Sequence, residues 1–222
     1  MTVRRAKQET ASLLSFLRTG EMGPLKLGMT MREVSNLLGP PGWWSDGGHD
    51  EPVYLFWIYG RYLEILFDPE PPYLLKVIKL VRLPALQKRY VQIGRLQLYA
   101  DGFEGEIGLA ALLQREIWGQ DNNVVVGLCR DWNPVIDICS SKVRLVWGMS
   151  TQEEELLEEE MSAGLSSAGY VARRDELSDG FFGIYSTAMP IEDRAPLTGW
   201  QNFSVQEYLV LIEGQRGQVK AY

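Results

Sequence analysis

Thr30-Met-Arg-Glu33-Val-Ser-Asn-Leu-Leu38-Gly-Pro-Pro-Gly42 is the stretch on which the reading of this chain turns. Thr followed three residues later by Glu is a capping-box pattern, in which the Thr30 hydroxyl accepts from the Glu33 amide while the Glu33 carboxylate reaches back to the Thr30 amide. Met31, Val34, Leu37 and Leu38 then form one apolar stripe. Gly39-Pro40-Pro41-Gly42 ends the helix, because proline neither donates an amide nor continues the helical path. Upstream, residues 9–17 place Leu13, Leu14, Phe16 and Leu17 at helical spacing, and Gly20 supplies a stop, so a first helix is expected there.

Downstream, residues 39–52 read as a loop and three β-rich runs follow, at 53–59, 61–67 and 73–83. Gly60 and Asp68-Pro69-Glu70-Pro71-Pro72 punctuate them, which predicts an antiparallel meander. Within the second run Tyr62, Glu64 and Leu66 alternate with Leu63, Ile65 and Phe67, so one face is continuously apolar. A helix pair on a three-stranded antiparallel meander is the expected unit for residues 1–84.

A connector at 84–90 leads to a second α+β unit over 85–222. It is read as a strand over 91–99 kinked at Gly94, a helix over 105–118 ended by Gly119, and strands at 124–129, 135–139 and 143–147. Asp131-Trp132-Asn133-Pro134 and Ser140-Ser141 are turn chemistry between those strands. Helix followed by three strands therefore occurs twice, which leaves open an internal duplication, two units of separate origin, or one continuous sheet. Ser150-Thr-Gln-Glu153 is a second capping box, predicted to open a long acidic helix to residue 168. Its buried stripe is expected at Leu157, Met161, Gly164, Leu165 and Ala168, with Glu153, Glu154, Glu155, Glu158, Glu159 and Glu160 facing water. Residues 181–187 read as a strand, 190–203 as a loop, and 206–212 as a strand or short helix. The fold class expected is α+β.

Composition narrows function more than it identifies it. The 222 residues are 45% hydrophobic, enough for a real core, and carry a formal charge of −7, which disfavours nonspecific binding to a nucleic acid backbone. Up to Pro84 there are ten basic and nine acidic residues; beyond it there are twelve and twenty, so a charged partner of the second unit is expected to be basic. No run of about 18 apolar residues occurs and the first residues have no signal-peptide pattern, so no membrane span and a cytoplasmic location are expected. Cys129 and Cys139 fit neither redox nor metal-knuckle spacing and read as reduced, buried thiols. With two cysteines and one histidine, no metal site and no cofactor are expected.

His49 stands near Asp46, Asp50 and Glu51, a possible oriented base, although the glycines beside it also fit a plain polar loop. Asp101, Glu104 and Glu106 are close enough to supply paired carboxylates, yet nothing in the sequence fixes a separation between them. No GxSxG elbow occurs, and any Ser-His or Cys-His mechanism would have to recruit His49. Aromatic residues are more informative. Trp57 and Trp147 lie in strand patterns and are expected in the core, whereas Trp43, Trp44 and Trp200 fall in loops, where an indole serves as an interface anchor or folds back as a lid.

Leu27-Gly-Met-Thr-Met-Arg-Glu-Val-Ser-Asn-Leu-Leu-Gly-Pro-Pro41 resembles the helical signature of the SmpA/OmlA (BamE-like) superfamily, in which a Gly-Met-Thr turn caps a helix ending in Leu-Gly-Pro-Pro before a β-meander. It is also similar to the opening of small bacterial immunity-type proteins. The resemblance implies a non-catalytic α+β binding scaffold. BamE-like envelope proteins are typically lipoproteins, and this chain has no cysteine near its first residue, so an immunity or antitoxin-like inhibitor of a basic protein is the expected form. Its expected partner-binding residues are Trp43, Trp44 and Trp200 as anchors, with Asp101, Glu104, Glu106, Glu154 and Glu158 as steering charge, and no residue is assigned a catalytic role. Two alternatives stand beside it: a hydrolytic enzyme using carboxylates or His49 in a cleft between the units, and a structural subunit of a homo-oligomer.

Overall fold

The computed structural model describes residues 8–46, 55–81, 89–103, 108–119, 124–129, 136–140, 142–147, 151–177, 181–186 and 200–219. The chain opens with β1 (Glu9–Ser12), α1 (Leu13–Thr19) and α2 (Met31–Leu38), then β2 (Trp43–Ser45), β3 (Leu55–Tyr59), β4 (Leu63–Phe67) and β5 (Leu75–Val81). It continues through β6 (Tyr90–Ile93), β7 (Leu96–Tyr99), α3 (Leu109–Leu113), β8 (Val125–Cys129), β9 (Ile136–Cys139) and β10 (Arg144–Trp147). It ends with α4 (Thr151–Ser162), α5 (Ser167–Leu177), β11 (Phe181–Tyr185), β12 (Trp200–Ser204) and α6 (Val205–Val219). This is an α+β fold.

Two sheets organise it. The larger has nine strands in the order β12-β8-β9-β10-β11-β5-β4-β3-β2, and the smaller has three in the order β1-β7-β6. Every neighbouring pair of the nine is antiparallel, so opposed residues share a face and period-two alternation carries one face across the sheet. Tyr59, Leu63, Leu80, Ile184, Leu145, Ile138, Val126 and Phe203 form one such register row. All but Phe203 are buried, so this row is the spine of the core. Strands from both sides of residue 84 belong to this one sheet, joined where Gly183, Ile184 and Tyr185 meet Val81, Leu80 and Lys79. Past the end of β11, Ser186 extends the seam: its hydroxyl accepts from the Ile78 amide at 2.8 Å and its own amide donates to the Ile78 carbonyl at 2.9 Å.

The helix read from 30–38 forms as expected. Thr30 and Glu33 make the reciprocal capping box, with the Thr30 amide donating to Glu33 Oε2 at 2.8 Å and the Glu33 amide to Thr30 Oγ1 at 3.3 Å. Those bonds from Thr30 backbone and side chain lower the Glu33 pKa. The far end of α2 is held by both sheets. The Arg95 amide donates to the Leu38 carbonyl at 3.0 Å, and the buried Tyr59 hydroxyl donates to the Gly39 carbonyl at 2.9 Å. Burial pushes the Tyr59 pKa upward, so the phenol stays a donor. Gly94 makes the approach possible: at φ +58° an added Cβ would lie 2.3 Å from the Leu38 carbonyl oxygen.

Several expectations need correction. The helix expected over 9–17 starts only at Leu13; residues 9–12 are β1, parallel to β7, and the Ser12 side chain caps α1 by accepting from the Ser15 amide. Pairing with a strand far along the chain overrides the local helical pattern. Gly94 is the turn of the β6-β7 hairpin and not a kink in one strand. Of the helix expected at 105–118, residues 105–107 lie outside the described residues; α3 ends at Leu113, after which Glu116 takes φ +49° and breaks the path before Gly119. Loops expected at 39–52 and 190–203 contain β2 and β12, and 206–212 lies in the longer helix α6. That helix opens on a further capping box, Ser204 with Glu207, the Ser204 amide donating to Glu207 Oε2 at 2.7 Å.

The acidic segment is not one long helix. It ends at Ser162, and Gly164 at φ +100° turns the chain into α5. Met161, expected in the core, is exposed, while Glu160 is held by Arg173 of α5 at 3.0 Å. Leu157 is buried as expected, as is Trp147; Trp57 is half-buried against the core. α1 is anchored beyond residue 84 as well: Trp118 Nε1 donates to the Leu17 carbonyl at 2.8 Å, and Arg18 Nε to the Ile117 carbonyl at 3.0 Å.

Three outcomes are expected. Ile184→Ala removes a fully buried side chain at the seam and should cost about 2–5 kcal/mol, read as a lower midpoint of a single denaturation transition. Gly94→Ala forces a Cβ against backbone at positive φ and should cost about 1–3 kcal/mol in the same assay. Because the Glu33 pKa is lowered on folding, its contribution is present above the unfolded carboxyl pKa of about 4.3 and is lost as the pH falls through the lower folded value. The Tm gap between the wild-type chain and Glu33→Ala should therefore close in acid.

Candidate functional site

The Gly-Pro-Pro-Gly stop after α2 leads directly into the site. Gly42 donates its amide to the Ile58 carbonyl at 2.9 Å, setting the chain alongside β3, and the next three residues form β2 at one end of the nine-stranded sheet. Trp43 and Trp44 are neighbours on this terminal strand and therefore point to opposite faces. They remain 54% and 63% exposed. Large aromatic rings at that exposure offer amphipathic area to a contact. Covering roughly 200–300 Å² of indole gives a gross gain of about 5–7 kcal/mol, from which the costs of association are subtracted.

Each ring is rooted differently. Trp44 stands opposite Trp57, which packs edge-on against Phe67 at 4.8 Å and Tyr59 at 6.5 Å on the core side of the sheet. Trp43 lies on the other face, edge-on to Phe56 at 6.0 Å. From Trp43 a register row runs through Ile58, Glu64, Lys79, Tyr185, Arg144 and Cys139. Ile58, Glu64, Lys79, Tyr185 and Arg144 are half-buried, and so are Phe56, Leu66, Val77, Val81 and Val146 beside them. The outer face of the sheet is thus a mixed surface of apolar, aromatic and charged side chains.

Lys79 and Glu64 are directly opposed and ion-paired at 2.8 Å, with the ammonium 5.3 Å from the Tyr185 ring centroid. Burial works against the charged lysine, but its hydrogen bond to Glu64 and the attraction of Tyr185 and Glu64 outweigh it and raise its pKa. The lysine therefore stays charged through neutral pH, and alkali that takes its proton breaks the pair. It ties β4 to β5 across the face that also carries Trp43, Phe56 and Ile58.

The other expected site residues do not gather here. β12, which begins at Trp200, is the opposite edge of the nine-stranded sheet, roughly 38 Å away at 4.8 Å per strand measured along the sheet. Asp101 is exposed in the turn after β7 at φ +53°. Glu154 and Glu158 lie one turn apart on α4, the first half-buried and the second exposed. Glu104, Glu106 and His49 lie outside the described residues. Among the described residues no group of three His, Cys, Asp or Glu side chains is placed to hold a metal ion, and no helix is long and apolar enough to cross a membrane. Sequence reasoning missed Lys79, Tyr185 and Arg144. The alternation through Glu64 marked this face, but its continuation across three further strands depends on pairings remote in sequence.

No protein-family model matches the chain, and no curated protein matches it either. Among solved structures it is similar to the crystal structure of a DUF4309 family protein (YjgB) from Bacillus subtilis strain 168, at 12% sequence identity and a TM-score of 0.38, over 80% of this chain and 93% of that one.

Proposed function

We propose that this chain is a non-catalytic protein-binding module, an immunity or antitoxin-like inhibitor acting in the cytoplasm, that docks a basic partner at the β2 edge. The observation that carries the reading is the pair of exposed indoles, Trp43 and Trp44, on a terminal strand. An edge strand offers backbone donors and acceptors that a partner segment can pair with, and the two rings clamp such a segment from opposite faces. The net charge of −7 and the resemblance of residues 27–41 to the opening of immunity-type proteins support the choice of a basic partner. In this reading Trp43 and Trp44 supply dissociation resistance. The acids beyond residue 84, Glu158 and Asp101 among the exposed ones, contribute long-range attraction to the association rate.

Affinity capture from the source organism with the wild-type chain, followed by binding of the purified partner, tests this. Replacing both tryptophans by alanine should weaken binding by about 2–4 kcal/mol, mostly through faster dissociation, while added salt slows association. Unchanged affinity of the double variant removes the tryptophan edge from the reading. Turnover of a substrate by the purified chain, abolished by a single side-chain deletion, replaces the reading with an enzymatic one.

A further inference from the structure

The smaller sheet has a chemistry of its own. Ala11, Ile93, Leu96 and Leu98 are buried on one face. The other face consists of two register rows: Tyr90, Tyr99 and Ser12, and beside it Gln92, Gln97 and Thr10. None of these six side chains is charged at neutral pH. Glu9, the charged residue within the three strands, pairs with Leu96 and so alternates to the other face. An uncharged platform of this kind stands out in a chain with 23% charged residues.

Tyr90 and Tyr99 are 44% and 38% exposed, with centroids 5.7 Å apart and planes tilted by 45°. The rings touch each other, so no slot opens between them and a ligand must lie across their outward surfaces. Gln92 is fixed by the sheet: its Oε1 accepts from Gln8 at 3.1 Å and its Nε2 donates to the Gly94 and Leu96 carbonyls at 2.8 and 3.1 Å. Gln97 Oε1 accepts from the Tyr99 hydroxyl at 3.3 Å. The Gln97 amide nitrogen, the Tyr90 hydroxyl and the Thr10 hydroxyl have no protein partner among the described residues, and they rim the rings with both donors and acceptors.

A pair of exposed, mutually tilted aromatic faces with a neutral rim of mixed hydrogen-bonding character fits rings that have an apolar C–H face and hydroxyls around their edge. We infer that this face binds a neutral oligosaccharide, with successive pyranose rings lying over Tyr90 and Tyr99 and their hydroxyls meeting Gln97 and Thr10. Charge decides against the alternatives. A nucleic acid or an acidic polysaccharide finds no cation within the platform, and a basic peptide finds no carboxylate. A proline-rich helix docks between aromatic ridges, which the contact between the two tyrosines closes off. This surface lies on a different sheet from the tryptophan edge and does not depend on the function proposed above.

Native electrophoresis of the full chain through gels containing a soluble β-glucan, a starch-type α-glucan, a mannan or polygalacturonate tests the inference, together with binding to chitin oligosaccharides. Retardation by at least one neutral polymer is expected. Tyr90→Ala and Tyr99→Ala should each weaken it at least tenfold, and Gln97→Ala several-fold, with thermal melts confirming that each variant folds. Gln97→Ala leaves both rings in place, so it still reports should a tyrosine variant fail to fold. The Trp43→Ala, Trp44→Ala double variant should bind the polymer like the wild-type chain, which separates this surface from the protein-docking edge. Retardation by polygalacturonate alone, binding indifferent to Tyr99 and Gln97, or no binding to any of the neutral glycans overturns the inference.

Discussion

The seam between β5 and β11 is the constraint on which the rest of the structure depends. Three residue pairs and the Ser186 bridge to Ile78 join the N-terminal meander to the strands that follow. They also fix the register of everything on either side. A slip of one residue at this seam would turn Ile184 out of the core and carry Tyr185 from beside Lys79 to the core face. The core face and the outer face therefore enforce the same register independently.

What was legible in the sequence was local. The capping box at Thr30, the glycine and proline stop after Leu38 and the alternation through β4 are interactions among residues a few positions apart, and each took the form expected of it. The errors share a cause. Residues 9–12 follow a helical pattern, yet they pair with β7; Trp43 and Trp44 sit among loop-forming residues, yet β3 offers them a strand partner. In both places a partner distant in sequence outweighed local preference. The Ser204–Glu207 box is an exception of another kind, since its spacing was present and its bonds are local.

The candidate site was legible in part. Exposed tryptophan in a segment bounded by Gly-Pro-Pro-Gly is a contact signal that needs no tertiary knowledge, and Trp43 and Trp44 carried it. Trp200 stands apart from them, on β12 at the opposite end of the sheet from β2, a separation that only the strand order reveals. The acids of α4 were read as a solvated face. Part of that face is structural, since Glu160 holds Arg173, which also meets Glu176 at 3.0 Å.

Strand order has one more consequence, for the moment of synthesis. Ile78 waits for Ser186, 108 residues later, before its amide finds the acceptor it has in the finished sheet. β1 likewise has no neighbour until β7 has emerged. Contacts so remote in sequence are slow to close, since the entropy of the intervening loop is lost before any pairing compensates for it. A nascent chain from the ribosome thus carries the β11-facing edge of β5 unpaired until β11 has been made. In that interval the unpaired edge is open to pairing with other chains.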